Sequence, residues 1–200
     1  MEKNHNNAKL KSKQGENFYI KKLSESDVHA LIKFNKNLSE KTRSQFLPHG
    51  YDKETILQFV ERNKKGLDLI YVAITDDKIV GYFFLWNITT NFPILGIGID
   101  DAYQGKGLGK KMMEVLIQDA KRYKKDGILL TTVLTNETAY QLYLKMGFQY
   151  LGDIDNIAGD GRVVRERKMF LPLHEDCGEP TDDDFEPPNI ITGTDTAIKR

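Results

Sequence analysis

The sequence predicts a single α/β domain, and three features predict it. Segments with a period near two alternate with segments whose period is near 3.6, in the order β-α-α-β-β-β-α-β-α-β-β. A glycine-rich turn, Gln104-Gly105-Lys106-Gly107-Leu108-Gly109-Lys110-Lys111, joins an apolar run, Ile94 to Ile99, to a long helical segment. No internal repeat interrupts this series, and 200 residues suffice for one ordinary core.

Each element follows from local pattern. Phe18 and Ile20 alternate with Tyr19 and Lys21, which predicts a first strand; Ser24 and Asp27 then give a capping pattern before Val28, Leu31, Ile32 and Phe34. A second helix starts near Asp52, places Ile56, Leu57 and Val60 on one face, and stops at Gly66. Leu69 to Thr75, an Asp76-Asp77 turn and Lys78 to Asn87 form a hairpin of β-branched and aromatic residues. Pro93 and Ile94 open the next strand, which ends near Asp100. Leu108, Met112, Val115, Leu116 and Ala120 then mark a helix that ends before Gly127. Ile128 to Leu134 is a buried strand, Thr135 or Asn136 caps a helix closed by Gly147, and strands at Phe148–Ile154 and Arg162–Phe170 flank an Asn156–Gly161 turn.

A glycine turn entering a helix is an anion site: backbone N–H groups converge there, and the helix dipole adds partial positive charge. Two phosphate motifs can be excluded. A Walker-type loop ending on Gly109-Lys110 needs glycine at Gln104 and a hydroxyl at Lys111. The dinucleotide fingerprint needs glycine where Lys110 stands.

The segment instead resembles the acetyl-CoA pyrophosphate loop of the GNAT N-acetyltransferases, Gln/Arg-x-x-Gly-x-Gly/Ala after a strand, through Gln104, Gly107 and Gly109. Asn136-Glu137-Thr138-Ala139-Tyr140-Gln141-Leu142-Tyr143-Leu144-Lys145-Met146-Gly147-Phe148 is similar to that family's second signature, Asn-x-x-Ala-x-x-Leu-Tyr-x-x-x-Gly-Phe. The resemblance implies a GNAT-like domain over residues 16–172, with a mixed twisted sheet of about seven strands and helices on both faces. It also implies acetyl-CoA as co-substrate and no metal. The four histidines and Cys177 show no ligand spacing.

From the resemblance, the backbone of Ile97, Gly98 and Ile99 pairs with the pantetheine arm and polarises the thioester oxygen. Glycines at 96 and 98 independently mark an irregular strand, or else make room for bulky neighbours. Gln104, Gly105, Lys106, Gly107, Leu108, Gly109 and Lys110 cradle the pyrophosphate. Asn136 contacts the pantetheine, with a plain N-cap as its alternative, and Tyr143 protonates the departing thiolate, with a core role as its alternative. Many relatives carry a glutamate base where Ile94 stands, and isoleucine takes no proton. His49 is a second catalytic candidate, against an exposed loop histidine; Glu40, Asp100 and Asp101 are further ones.

The acceptor is a small-molecule or peptide amine. Ser39 to Tyr51 and Asn87 to Pro93 shape its pocket, with Phe46, Tyr51, Trp86 and Phe92 as candidate walls or ordinary core. Two other readings stay open: an acyl-CoA-binding regulatory module, and a toxin-like transferase acting on aminoacyl-tRNA through the basic run Arg162 to Lys168. A formal net charge of +0 gives no overall footprint for nucleic acid or an anionic membrane. Residues 1–15 read as a flexible lead without an apolar signal core, and no run is long enough to span a bilayer. One cysteine, in a polar stretch, fits a reducing compartment, so the expected location is cytoplasmic. Residues 173–200, with Asp182-Asp183-Asp184 and Pro187-Pro188, read as a disordered acidic tail. Relatives often pair through sheet edges, which leaves a homodimer open.

Overall fold

Leu69 to Ala73 and Ile79 to Trp86 carry apolar side chains on both faces, so the sheet they form must be covered on both sides. The computed structural model describes residues 8–11 and 15–190 and shows how. Among them are, in chain order, β1 (Ala8–Lys11), β2 (Asn17–Lys22), α1 (Val28–Asn37), α2 (Glu40–Gln45), α3 (Lys53–Lys64), β3 (Leu69–Thr75), β4 (Lys78–Trp86), β5 (Ile94–Ile99), α4 (Leu108–Arg122), β6 (Gly127–Val133), α5 (Glu137–Lys145), β7 (Gln149–Ile157) and β8 (Val163–Pro172). One sheet holds all eight strands in the order β1-β2-β3-β4-β5-β6-β8-β7.

Strand parity sorts the two cores. Tyr71, Ala73, Phe83 and Leu85 meet Met112, Leu116 and Tyr143 of α4 and α5 on one face. On the other face Ile70, Val72, Tyr82, Phe84 and Trp86 meet Leu31 and Phe34 of α1 and Ile56 and Phe59 of α3. Each fully buried side chain of this size contributes about 1.5–3 kcal/mol of transfer free energy, so neither face is dispensable. Buried polar groups lock the layers: Tyr71 donates to Asp119 of α4 at 2.7 Å, and Asn63 of α3 bonds both the N–H and the C=O of Ile70. The β3–β4 turn places Asp76 and Asp77 at positive φ, 46° and 57°, the pairing that matches hairpin twist.

Parts of both ends assigned to free segments lie on the domain instead. Lys9, Leu10 and Lys11 of β1 extend the sheet beside β2 in antiparallel register, and Leu10 packs against the core. Beyond β8, a short 3₁₀ turn at Asp182–Phe185 buries Phe185 to 4% exposure among the residues facing α1 and α3. Lys168 pairs with Asp182 and lies over the Phe185 ring, while Asn87 Nδ2 donates to the Glu186 carbonyl. A single aromatic among carboxylates is therefore anchored by one lysine and one apolar socket. Residues 1–7, 12–14 and 191–200 lie outside the described residues.

Helix α2 has no counterpart in the sequence pattern. Asp101 holds it in place, accepting from Ser39 N at 2.8 Å, Ser39 Oγ at 2.7 Å and Thr42 Oγ1 at 2.6 Å. No helix among the described residues is long and apolar enough to cross a membrane.

Candidate functional site

The functional cleft follows from one topological fact. Among the described residues β5 and β6 are the only parallel neighbours, and they pair at a single register position, Ile94 opposite Leu129, where Leu129 N also donates to Pro93 O at 3.0 Å. Beyond that vertex they diverge. The other edge of β5 is bonded to β4 throughout, from Trp86↔Ile94 to Gly81↔Ile99, without a register shift. Asp100 N donates to Val80 on the β4 side, and Pro93 O points at β6, so alternation turns the backbone groups of Ile97 and Ile99 into the gap and those of Gly98 toward β4. Gly98 therefore serves the site differently from Ile97 and Ile99.

The glycines of β5 make room for rings, and the strand carries no bulge. A Cβ on Gly96 would stand 2.1 Å from the Phe84 ring, and one on Gly98 would stand 2.3 Å from Phe46. Those phenyl groups close the strand's α1/α3-side face and line the cleft, whose volume is about 1930 Å³.

At the far end of the gap lies the glycine turn that enters α4. Gly105 and Gly107 have φ of 72° and 82°, and Gly107 is the N-cap of α4. A left-handed N-cap without a side chain cannot satisfy the first-turn N–H groups of Leu108, Gly109 and Lys110, so these point unpaired along the helix axis. At Gly109 a Cβ would meet Ile99 Cδ1 at 3.1 Å, which keeps α4 close against β5. Gln104 braces the loop: its Nε2 donates to Ile99 O and Thr42 Oγ1, both at 3.1 Å. The side chains of Lys106 and Leu108 do not line the cleft. The Lys106 ammonium bonds Glu16 at 2.9 Å and lies over Tyr103, and Leu108 is buried in the core. Lys110 does line the cleft, beside Glu114 at 3.7 Å.

Opposite this wall stands α5. Asn136 caps it, accepting from Ala139 N at 3.3 Å, which leaves its amide nitrogen to the cleft. Tyr143 is 9% exposed and lines the cleft, with its ring 5.9 Å from that of Phe148. Its hydroxyl bonds no described residue. Burial first, and then the charge of Glu166, push the phenol up to about 12, so it stays protonated at neutral pH.

His49 proves to be neither exposed nor free. It is 7% exposed, stacked on Tyr51 and tilted against Phe59, with Nδ1 2.7 Å from Gly50 O and Nε2 3.0 Å from Tyr82 Oη. The carbonyl can only accept, so Nδ1 carries the proton and Nε2 accepts from Tyr82. Burial lowers its pKa to about 4. With both nitrogens engaged, the ring builds the wall. Of the carboxylate candidates, Asp101 is committed to α2 and Asp100 to Ala102 N at 2.9 Å, while Glu40 is exposed and does not line the cleft.

Beyond the vertex the cleft continues between three loops. Gly159 N donates to Leu47 O at 2.8 Å, and a Cβ there would strike the His49 backbone at 2.2 Å, so the β7–β8 turn is bolted to the α2–α3 loop. Phe46, Trp86 and the segment Phe185 to Ile190 line this end, whereas Tyr51 and Phe92 pack against the core behind it. Sequence reasoning missed the C-terminal wall, helix α2 and Glu166, a cleft-lining carboxylate on β8. The last is signalled only by strand parity. In the basic run, Arg162 pairs with Asp160, Arg165 with Asp155, Arg167 with Glu137 and Lys168 with Asp182.

A model of the Acetyltransferase (GNAT) family matches residues 33–148. Spermine/spermidine N(1)-acetyltransferase of Bacillus subtilis (strain 168) is 46% identical over 69 residues, 34% of this chain and 45% of that enzyme, so the match spans less than half of that relative's length. Spermidine N(1)-acetyltransferase of Thermoplasma acidophilum is 27% identical over 143 residues, covering 65% of this chain and 87% of that protein. The solved structure of yncA from Salmonella typhimurium, determined with its cofactor acetyl-CoA, superposes with a TM-score of 0.65 at 19% identity, covering 84% of this chain and 99% of the other.

Proposed function

The chain belongs to the GNAT acetyltransferase family, and from that premise we propose that it transfers the acetyl group of acetyl-CoA directly to a primary amine. The carrying observation is the single-pair parting of β5 from β6, which opens the backbone of Ile97 and Ile99 toward the unpaired N–H groups at the start of α4. An extended amide-bearing arm fits the first as an added strand, and a pyrophosphate fits the second. The Ile97 N–H, nearer the vertex, polarises the thioester carbonyl; Tyr143 delivers its proton to the leaving sulfur. Cys177 does not line the cleft, which favours direct attack over an acetyl-enzyme.

For the acceptor we infer an aliphatic di- or polyamine. The bolted loops and the C-terminal segment wall the acceptor end of the cleft. Phe46 and Trp86 offer apolar wall to methylenes, and Glu54 stands exposed at the cleft for a distal ammonium group. Two named relatives act on spermine or spermidine, in keeping with this choice. The proposal places the enzyme in the cytoplasm, which suits a chain with one cysteine. Calorimetric titration with acetyl-CoA, then thiol-release assays with putrescine, spermidine, spermine and short peptides, tests both levels. Turnover confined to peptides defeats the polyamine assignment, and no binding of acetyl-CoA defeats the whole reading.

A further inference from the structure

An attacking amine must lose a proton, and β5 offers no group to take it: Ile94 is buried at the vertex, paired with Trp86 and Leu129. We propose that Glu166 of β8, on the opposite arm of the divided sheet, receives that proton, an inference that rests on the transferase reading. Parity puts it on the acceptor face. Met169 enters the core under α4 and α5, and Arg167 reaches Glu137 and Tyr140 of α5, whereas Phe170 and Lys168 face the opposite side, with Phe185. Glu166 shares their parity. It lies opposite Val133, at the end of β6, where the gap is open, and it lines the cleft.

Its carboxylate is held and unneutralised. Asn156 Nδ2 donates to Oε2 at 2.6 Å and reaches Thr131 Oγ1 at 3.4 Å, which fixes the group with one strong bond. The neighbouring cations on β8 are committed to Asp155, Glu137 and Asp182, and no described cation pairs with Glu166. Asp52, by contrast, is occupied in capping α3, and Asp160 pairs with Arg162. The field of Glu166 also reaches Tyr143, where it adds to burial in keeping the phenol protonated. Base and acid thus support each other: the charge that attracts the amine proton keeps the second proton on Tyr143 until the thiolate forms.

The step balances. Glu166 takes one proton from the arriving ammonium, and the neutral amine nitrogen attacks the carbonyl carbon; a C–N bond forms, the C–S bond breaks, and the thiolate takes the Tyr143 proton. The remaining excess N–H proton passes through water to the phenolate and Glu166 returns its proton to solvent, leaving amide, free thiol and one released proton.

Glu166→Gln, assayed with acetyl-CoA and spermidine beside the wild type, tests the assignment. Affinity for CoA is expected to hold within about twofold while kcat falls about a hundredfold near pH 7, the usual scale for general base loss. The deficit should shrink to about tenfold or less as the pH approaches the acceptor's own pKa, where the amine arrives neutral. A purely structural role would not produce that convergence. Glu166→Asp, which keeps the charge and shortens its reach, should lie between the two, and it decides the matter if the glutamine variant loses CoA binding. Turnover of Glu166→Gln within about threefold of wild type, a Glu166→Asp variant no more active than Glu166→Gln, or a deficit independent of pH, overturns the proposal. A wild type that binds CoA but acetylates no amine defeats the transferase reading instead.

Discussion

Tyr143→Phe separates chemistry from stability unusually well, because the hydroxyl it removes bonds nothing among the described residues. The ring keeps its contact with Phe148 and its burial in the α4/α5 core. A typical intramolecular hydrogen bond nets about 1 kcal/mol, and none is lost here, so stability should hold within about 0.5 kcal/mol. For a domain of this size that is a Tm change of about 2 °C or less. Turnover should fall by about 10²–10⁴, the range for removing a general acid, or about 3–5 kcal/mol of barrier. The Michaelis constant for acetyl-CoA should change little, since the lost interaction matures only as sulfur gains charge. The wild-type phenol, raised to about 12 by burial and then by Glu166, is protonated below that pH, so ionisation of Tyr143 should cause no decline in rate up to about pH 10. Steady-state kinetics and a thermal melt suffice. A kcat within twofold of wild type refutes the acid role; a large fall in Tm refutes the unbonded hydroxyl.

Gly107→Glu forces a left-handed backbone on a residue that resists it, at about 1–2 kcal/mol, and puts a carboxylate at the anion seat; CoA affinity measured by calorimetry should drop at least about a hundredfold, and a change under threefold defeats the cradle. His49 is buried neutral with a pKa near 4, below its unfolded value near 6.5, so the unfolded chain binds more protons between those values. Its contribution is full above pH 6.5 and is lost as the pH falls toward 4, by up to about 3 kcal/mol, and His49→Gln should flatten this part of a urea-midpoint-versus-pH plot. An unchanged slope would place the titration elsewhere. Phe185→Ala empties the socket of the C-terminal segment, so the Michaelis constant for the amine should rise while CoA affinity stays level. Equal loss of both would mean that the segment supports the whole fold rather than the acceptor end.

What could be read in the sequence was what short-range chemistry dictates. Asp76-Asp77, the Asn136 cap and Gly107 carry their conformations within a few residues, and the structure realises all three. Helix α2 could not be read, because its six residues show no apolar period and its tether, Asp101, lies 62 residues beyond Ser39. Gly96 and Gly98 were legible as exceptions but not as sockets, since their partners Phe84 and Phe46 come from other elements. His49 carries no local mark of burial. Glu166 is masked by surrounding basic residues and emerges only once β8 is paired and its parity is set.

A sheet joined across its middle by one parallel pair is mechanically two sheets. β1 to β5 and β6 to β8 are each continuous ladders, but between them the paired strands offer one rung, and the N–H groups of Ile97 and Ile99 face the cleft. Those amides should exchange with deuterium far faster than their neighbours bonded to β4, and slow sharply when a ligand bridges the cleft. The bridging ligand would then be a structural member as well as a reactant, the missing rung that makes the two halves melt as one.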